Sequence, residues 1–120
     1  MGAGVRRSYS ARRPNELESR LQKAVLNDLS KREAFSFKCL AANKRGIPDI
    51  IVCLKGRFIS FELKRAQTNG NVLGKSSPIS DIQKAVSAKI TNNGGLHYFV
   101  SSFDEYGYIA DTLEKRFLQA

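Results

Sequence analysis

Between Asp49 and Lys64 the chain reads as two short strands joined by a two-residue turn, and this segment narrows the possible folds more than any other. Asp49 to Leu54 is a short, largely apolar run, the pattern of a buried strand. Lys55-Gly56 has the chemistry of a hairpin turn. Arg57 to Lys64 alternates, with Ile59, Phe61 and Leu63 facing one way and Ser60, Glu62 and Lys64 the other. If Lys55 and Gly56 form the loop, Leu54 pairs with Arg57, and counting outward sets Asp49 opposite Glu62. Cross-strand partners share a face with their Cβ atoms about 5 Å apart. Lys64, two residues past Glu62, lies on that same face.

Two carboxylates held opposite each other repel and destabilise a sheet. Either one stays protonated or a cation sits between them. A hard divalent cation with oxygen ligands answers this, and Mg²⁺ is content with one or two carboxylates, several waters and a phosphate oxygen. A bound metal acidifies water into a nucleophile, and a nearby lysine can orient that water or stabilise charge on the phosphate. The plainer alternative is a surface strand on which Glu62 and Lys64 are merely solvated.

The remaining pattern completes one domain. Residues 1–14 are Gly-, Ser- and Arg-rich, with Arg6, Arg7, Arg12 and Arg13 unrelieved by acid, and read as a flexible basic arm; residues 15–120 read as a single domain. Asn15 can cap a helix to about Lys31 with Leu17, Leu21, Ala24, Val25 and Leu29 inward. Ala34 to Leu40 reads as a strand, and Gln67 to Pro78 as a polar loop. Ser80 can cap a second helix to about Asn92, with Ile82, Ala85, Val86 and Ile90 inward, ended by Asn93-Gly94-Gly95. Leu96 to Ser101 follows as a strand. Ser102 and Glu105 have capping-box spacing for a last helix with Tyr106, Ile109, Leu113 and Phe117 inward. The order αβββαβα predicts an α/β fold, a mixed central sheet flanked by helices.

Twenty Lys and Arg against eleven Asp and Glu give the chain a net charge of +9, which suits a polyanionic partner such as DNA. Cys39 and Cys53 form no metal-binding spacing and are expected as buried free thiols; His97, the sole histidine, is expected to be packed or at the surface. No apolar stretch approaches a membrane span, and MGAGVRRS has no signal-peptide apolar core, so the expected location is the cytoplasm, with no membrane partner.

Gly46 to Ile50 reads GIPDI, and Phe61 to Lys64 reads FELK. Together they resemble the signature of the PD-(D/E)xK nuclease superfamily. More narrowly, the chain resembles the VRR-NUC family. ESRLQ at Glu18 to Gln22, GRFISFELKR at Gly56 to Arg65, a later helix bearing Gln83, and Gly94-Gly95 before a strand carry that resemblance in the right order. It implies a restriction-endonuclease-like fold and a deoxyribonuclease dependent on Mg²⁺, with Mn²⁺ as a substitute. It implies metal ligation by Glu18, Asp49, Glu62 and the backbone carbonyl of Leu63, with Lys64 and Gln83 assisting the attacking water. Glu16 competes with Glu18 for the first of these roles. Gln83 has a second reading, since Ser80-x-x-Gln83 is itself a capping box.

Lys44, Arg45 and the four arginines of the arm are candidate phosphate contacts. The expected function is structure-specific cleavage of branched DNA, foremost the four-way (Holliday) junction, by a homodimer whose contact draws on Tyr108, Phe117 and Leu118, in a bacterial or phage-infected cell. The alternatives are a general or flap nuclease, a restriction-type subunit, and a nucleic-acid-binding module without catalysis.

Overall fold

A computed structural model describes residues 14–64, 66–67, 75–76 and 79–119. Arg6, Arg7, Arg12 and Arg13 lie outside the described residues.

The hairpin organises the fold. Strands β2 (Ile50–Leu54) and β3 (Arg57–Leu63) are antiparallel, and Leu54 pairs with Arg57. Lys55 and Gly56 both have positive φ, 51° and 79°, the backbone of a type I′ turn whose twist matches the flanking strands. β1 (Phe35–Lys38) adds antiparallel to β2, and β6 (Leu96–Val100) adds parallel to β3, giving the order β1-β2-β3-β6. A parallel neighbour needs a crossover, and helix α2 (Asp81–Asn92) lies within it. Residues 66–67 and 75–76 form a short antiparallel ladder, β4 and β5, inside the segment expected to be a polar loop.

Helices α1 (Pro14–Lys31) and α3 (Phe103–Gln119) cover one face of the sheet. Helix α1 already includes Pro14, so the expected Asn15 cap lies inside the helix; proline's fixed φ suits the first helical turn. Leu21, Val25 and Leu29 of α1 meet Ile50, Val52, Ile59, Phe61 and Leu63 of the hairpin and Tyr106, Ala110 and Leu113 of α3 in one core. On α3 the expected Ser102–Glu105 box forms by halves. The Glu105 N–H donates to Ser102 Oγ at 3.1 Å, while its carboxylate accepts from the Ser101 N–H at 2.8 Å instead.

Two expectations about side chains fail for one reason. Cys53 is exposed, not buried, and Cys39 is half-buried. On the edge-ward part of the sheet only the α1/α3 face is covered, and Cys53 points to the other. Ala85 of α2 is also exposed, and no residue of that helix is fully buried. Among the described residues, no helix is long and apolar enough to cross a membrane.

Arg32, just past α1, ties that helix to α3. Its guanidinium donates to Asp28 at 2.6 Å, Glu114 at 2.8 Å and Asp111 at 2.8 Å, and the Tyr106 hydroxyl donates to Asp28 at 2.6 Å. Asp111 is largely solvated, so most of the benefit comes from the half-buried Asp28 and Glu114. Arg32→Met should therefore cost about 2 kcal/mol in a urea melt. Asp111→Ala should cost a few tenths at most.

Candidate active site

The site lies on the sheet face opposite the α1/α3 core. The ladder between β2 and β3 ends at Ile50 and Phe61, and the next pair outward is Asp49 and Glu62, as the turn length requires. Asp49 Oδ2 accepts a hydrogen bond from the Leu63 N–H at 2.7 Å, so the carboxylate is fastened across the strand end. The side chain of Leu63 itself points into the core, as expected.

Glu62 is not on a solvated surface strand. It is 7% exposed and its neighbour Ser60 is fully buried, so β3 is covered on both faces along its second half. Helix α2 provides part of the second cover. Gly46, at the start of GIPDI, has φ +75°, and a Cβ built there would stand 2.5 Å from Ile82 Cγ2 and 3.1 Å from the Ile82 carbonyl. Only glycine lets the motif loop and the first turn of α2 approach this closely.

That approach brings Gln83 onto Glu62. The Gln83 N–H donates to Ser80 Oγ at 3.1 Å, and Gln83 Oε1 accepts from the Ser80 N–H at 3.1 Å, a complete capping box. The same amide donates through Nε2 to Glu62 Oε2 at 2.7 Å. The two readings of Gln83 are therefore both realised. The cap occupies the oxygen and fixes the amide's orientation, which aims its nitrogen at the carboxylate. Ser80→Ala should cost about 1 kcal/mol of stability. If this geometry serves catalysis, Gln83→Ala should slow single-turnover cleavage further than Ser80→Ala does at matched stability. Equal rates in the two variants would reduce Gln83 to a cap.

Electrostatics mark the same place. Burial pushes the Glu62 carboxyl up to about 7, with Asp49 and Glu18 adding to the rise and Lys64 opposing it. Burial also raises Asp49, against the Leu63 N–H and Lys64. Glu18, half-buried on α1, is thus close enough to be felt at Glu62, while the side chain of Glu16 lies outside the described residues. Among the described residues, Glu62 Oε1 is buried without a hydrogen-bond partner, as is His97 Nε2. A buried oxygen of this kind is commonly satisfied by an ordered water or a bound ion.

Among the described residues, no three His, Cys, Asp or Glu side chains are gathered closely enough to hold a metal ion by themselves. Two carboxylates with a free buried oxygen nevertheless fit an ion that takes few protein ligands and keeps its waters. Lys44 and Arg45 are exposed on the loop leading into the motif. His97 is half-buried, its Nδ1 2.6 Å from Ser60 Oγ and its ring edge-to-face with Phe99, a packed histidine beneath the site.

No family model and no curated protein matches the sequence. Among solved structures, one described as a VRR_NUC domain superposes with a TM-score of 0.64 and 19% identity, covering 78% of this chain and 94% of that one. The fold is therefore that of a VRR_NUC-like α/β domain, three helices about a four-stranded mixed sheet in the order αβββαβα. This is the fold that the GIPDI and FELK motifs led us to expect.

Proposed function

We propose that the chain is a Mg²⁺-dependent DNA endonuclease acting on branched DNA, foremost four-way junctions, as a homodimer. The observation that carries the nuclease reading is the buried Glu62 Oε1, unpartnered among the described residues, beside Asp49 and on a carboxyl clamped by Gln83. The VRR_NUC-like fold supports it, since the motif residues Asp49, Glu62 and Lys64 are carried by the central sheet of that fold.

In this reading Asp49, Glu62 and the Leu63 carbonyl would hold the ion, with Glu18 as a further ligand. When bound, Mg²⁺ supplies Lewis acidity toward water and phosphate. The chain's own residues do the rest. Gln83 holds Glu62 in one orientation. Lys64, two residues along the strand, balances negative charge that grows on the phosphate as the water oxygen bonds to phosphorus and the bond to the leaving sugar oxygen breaks. Lys44, Arg45 and the arginines of the arm contact backbone phosphates, which makes binding salt-sensitive.

A two-fold pair of subunits matches a junction cut on two strands. On α3, Tyr108 and Leu118 are exposed and available to a second copy. Phe117 is not, because it packs against the core and under the Arg57 guanidinium at 4.8 Å. The test is cleavage of labelled linear duplex, flap and four-way junction with Mg²⁺ or Mn²⁺, beside light scattering. Preferential junction cutting by a dimer supports the proposal; equal cutting of duplex removes the structure preference, and no cutting removes the nuclease.

A further inference from the structure

The sheet face that carries Glu62 continues toward the edge strand as an uncovered aromatic strip. Register places Phe37 in one row with Ile51, Ser60 and His97, and Phe35 in the next row with Cys53 and Phe58. Residues in these rows share the face of Asp49 and Glu62, because side chains alternate along each strand. Phe35 is 71% exposed and Phe37 45%, with ring centroids 6.0 Å apart and planes at 63°. The strip leads straight to the site: the Cys39 N–H donates to the Asp49 carbonyl at 2.9 Å. The next residue, Leu40, is 84% exposed, and Lys44 and Arg45 follow on the same loop.

We propose that Phe35 and Phe37 hold unpaired bases of the DNA strand whose phosphate lies at Asp49 and Glu62, a proposal that rests on the nuclease reading above. Three features select this occupant. The strip is continuous with the site on one sheet face. The loop that leaves it carries exposed Lys44 and Arg45 and runs into the segment that bears Asp49, which suits a backbone phosphate. Its surface is aromatic rather than donor-rich, and the faces of unpaired bases stack on aromatic rings without regard to sequence. Paired bases keep their faces inside the duplex, so the strip favours flaps, and junctions whose branch-point bases have opened, over blunt duplex.

The test uses the full chain and the exposed-residue variants Phe35→Ser, Phe37→Ser and their combination, with binding measured by fluorescence anisotropy in Ca²⁺ so that no strand is cut. The probes are a blunt duplex and the same duplex with a splayed single-stranded end. The wild type should prefer the splayed DNA. The double variant should lose about tenfold in affinity for it and little for blunt duplex. An equal loss on both probes, or no loss, overturns the proposal. So does a fall from dimer to monomer in light scattering of the double variant, which assigns the strip to a second copy. Cleavage is scored separately. A wild type that binds splayed DNA selectively but cuts nothing refutes the nuclease reading while leaving the strip intact. A double variant that binds and cuts like the wild type refutes the strip alone.

Discussion

Replacing Asp49, Glu62 or Lys64 by alanine should abolish Mg²⁺-supported DNA cleavage, with rate losses of at least about a thousandfold, while each variant keeps its fold. The three positions fail for different reasons. On the proposed ligation, Asp49→Ala and Glu62→Ala would remove oxygens from the ion's shell, so metal affinity measured by titration calorimetry should fall with activity. Lys64→Ala leaves both carboxylates in place, so metal should still bind while the chemical step is lost. Asp49→Ala also frees the Leu63 N–H that its carboxylate accepts at 2.7 Å, so some loss of stability accompanies it. Asp49→Asn keeps that acceptor and is the cleaner test. Full activity in chelator, or in any one of the three variants, would contradict the assignment.

The second large effect is a pH dependence that reverses when metal is added. Burial raises Glu62 from an ordinary glutamate value to about 7, helped by the charges of Asp49 and Glu18. Below the unfolded value, near 4.5, both states are protonated and this carboxyl imposes no penalty. As pH rises from there toward 7, the unfolded chain releases its proton first, so the metal-free protein loses stability. Above about 7 the penalty is complete. Mg²⁺ held as proposed would bind the ionised form, so its affinity and its stabilising shift should grow over the same interval. Thermal melts at pH 5 and pH 8 should therefore fall with pH without metal, and the Mg²⁺-induced rise should be far larger at pH 8. Glu62→Gln should flatten both trends, and Asp49→Asn should match or exceed the wild type's metal-free melting temperature. A metal shift of equal size in the wild type and Asp49→Asn would place the ion elsewhere.

Both effects follow from burial acting on a carboxylate pair, and the parts of that pair were legible to different degrees. A side-chain period of two and a turn of two residues leave one register, so Asp49, Glu62 and Lys64 had to share a face before any tertiary contact was known. The capping residues Ser80 and Gly94 likewise announced where α2 begins and ends, because caps act within a few residues of the chain.

What surrounds the face was decided by contacts far apart in sequence. An alternating strand reads the same whether its second face is wet or covered. The seating of α2 against Gly46 helps to bury Glu62, and it turns the Gln83 amide from a cap into a clamp on Glu62 as well. The same docking leaves the far end of that face bare, so Cys53 and Phe35 are exposed although each sits in an apolar run that invites burial. Glu18 reaches the field of Glu62 through the packing of α1 on the sheet. Local periodicity determines which side of an element a residue occupies; the long-range packing of helices on the sheet determines how much water that side keeps, and with it the charge, pairing and chemistry of the residues there.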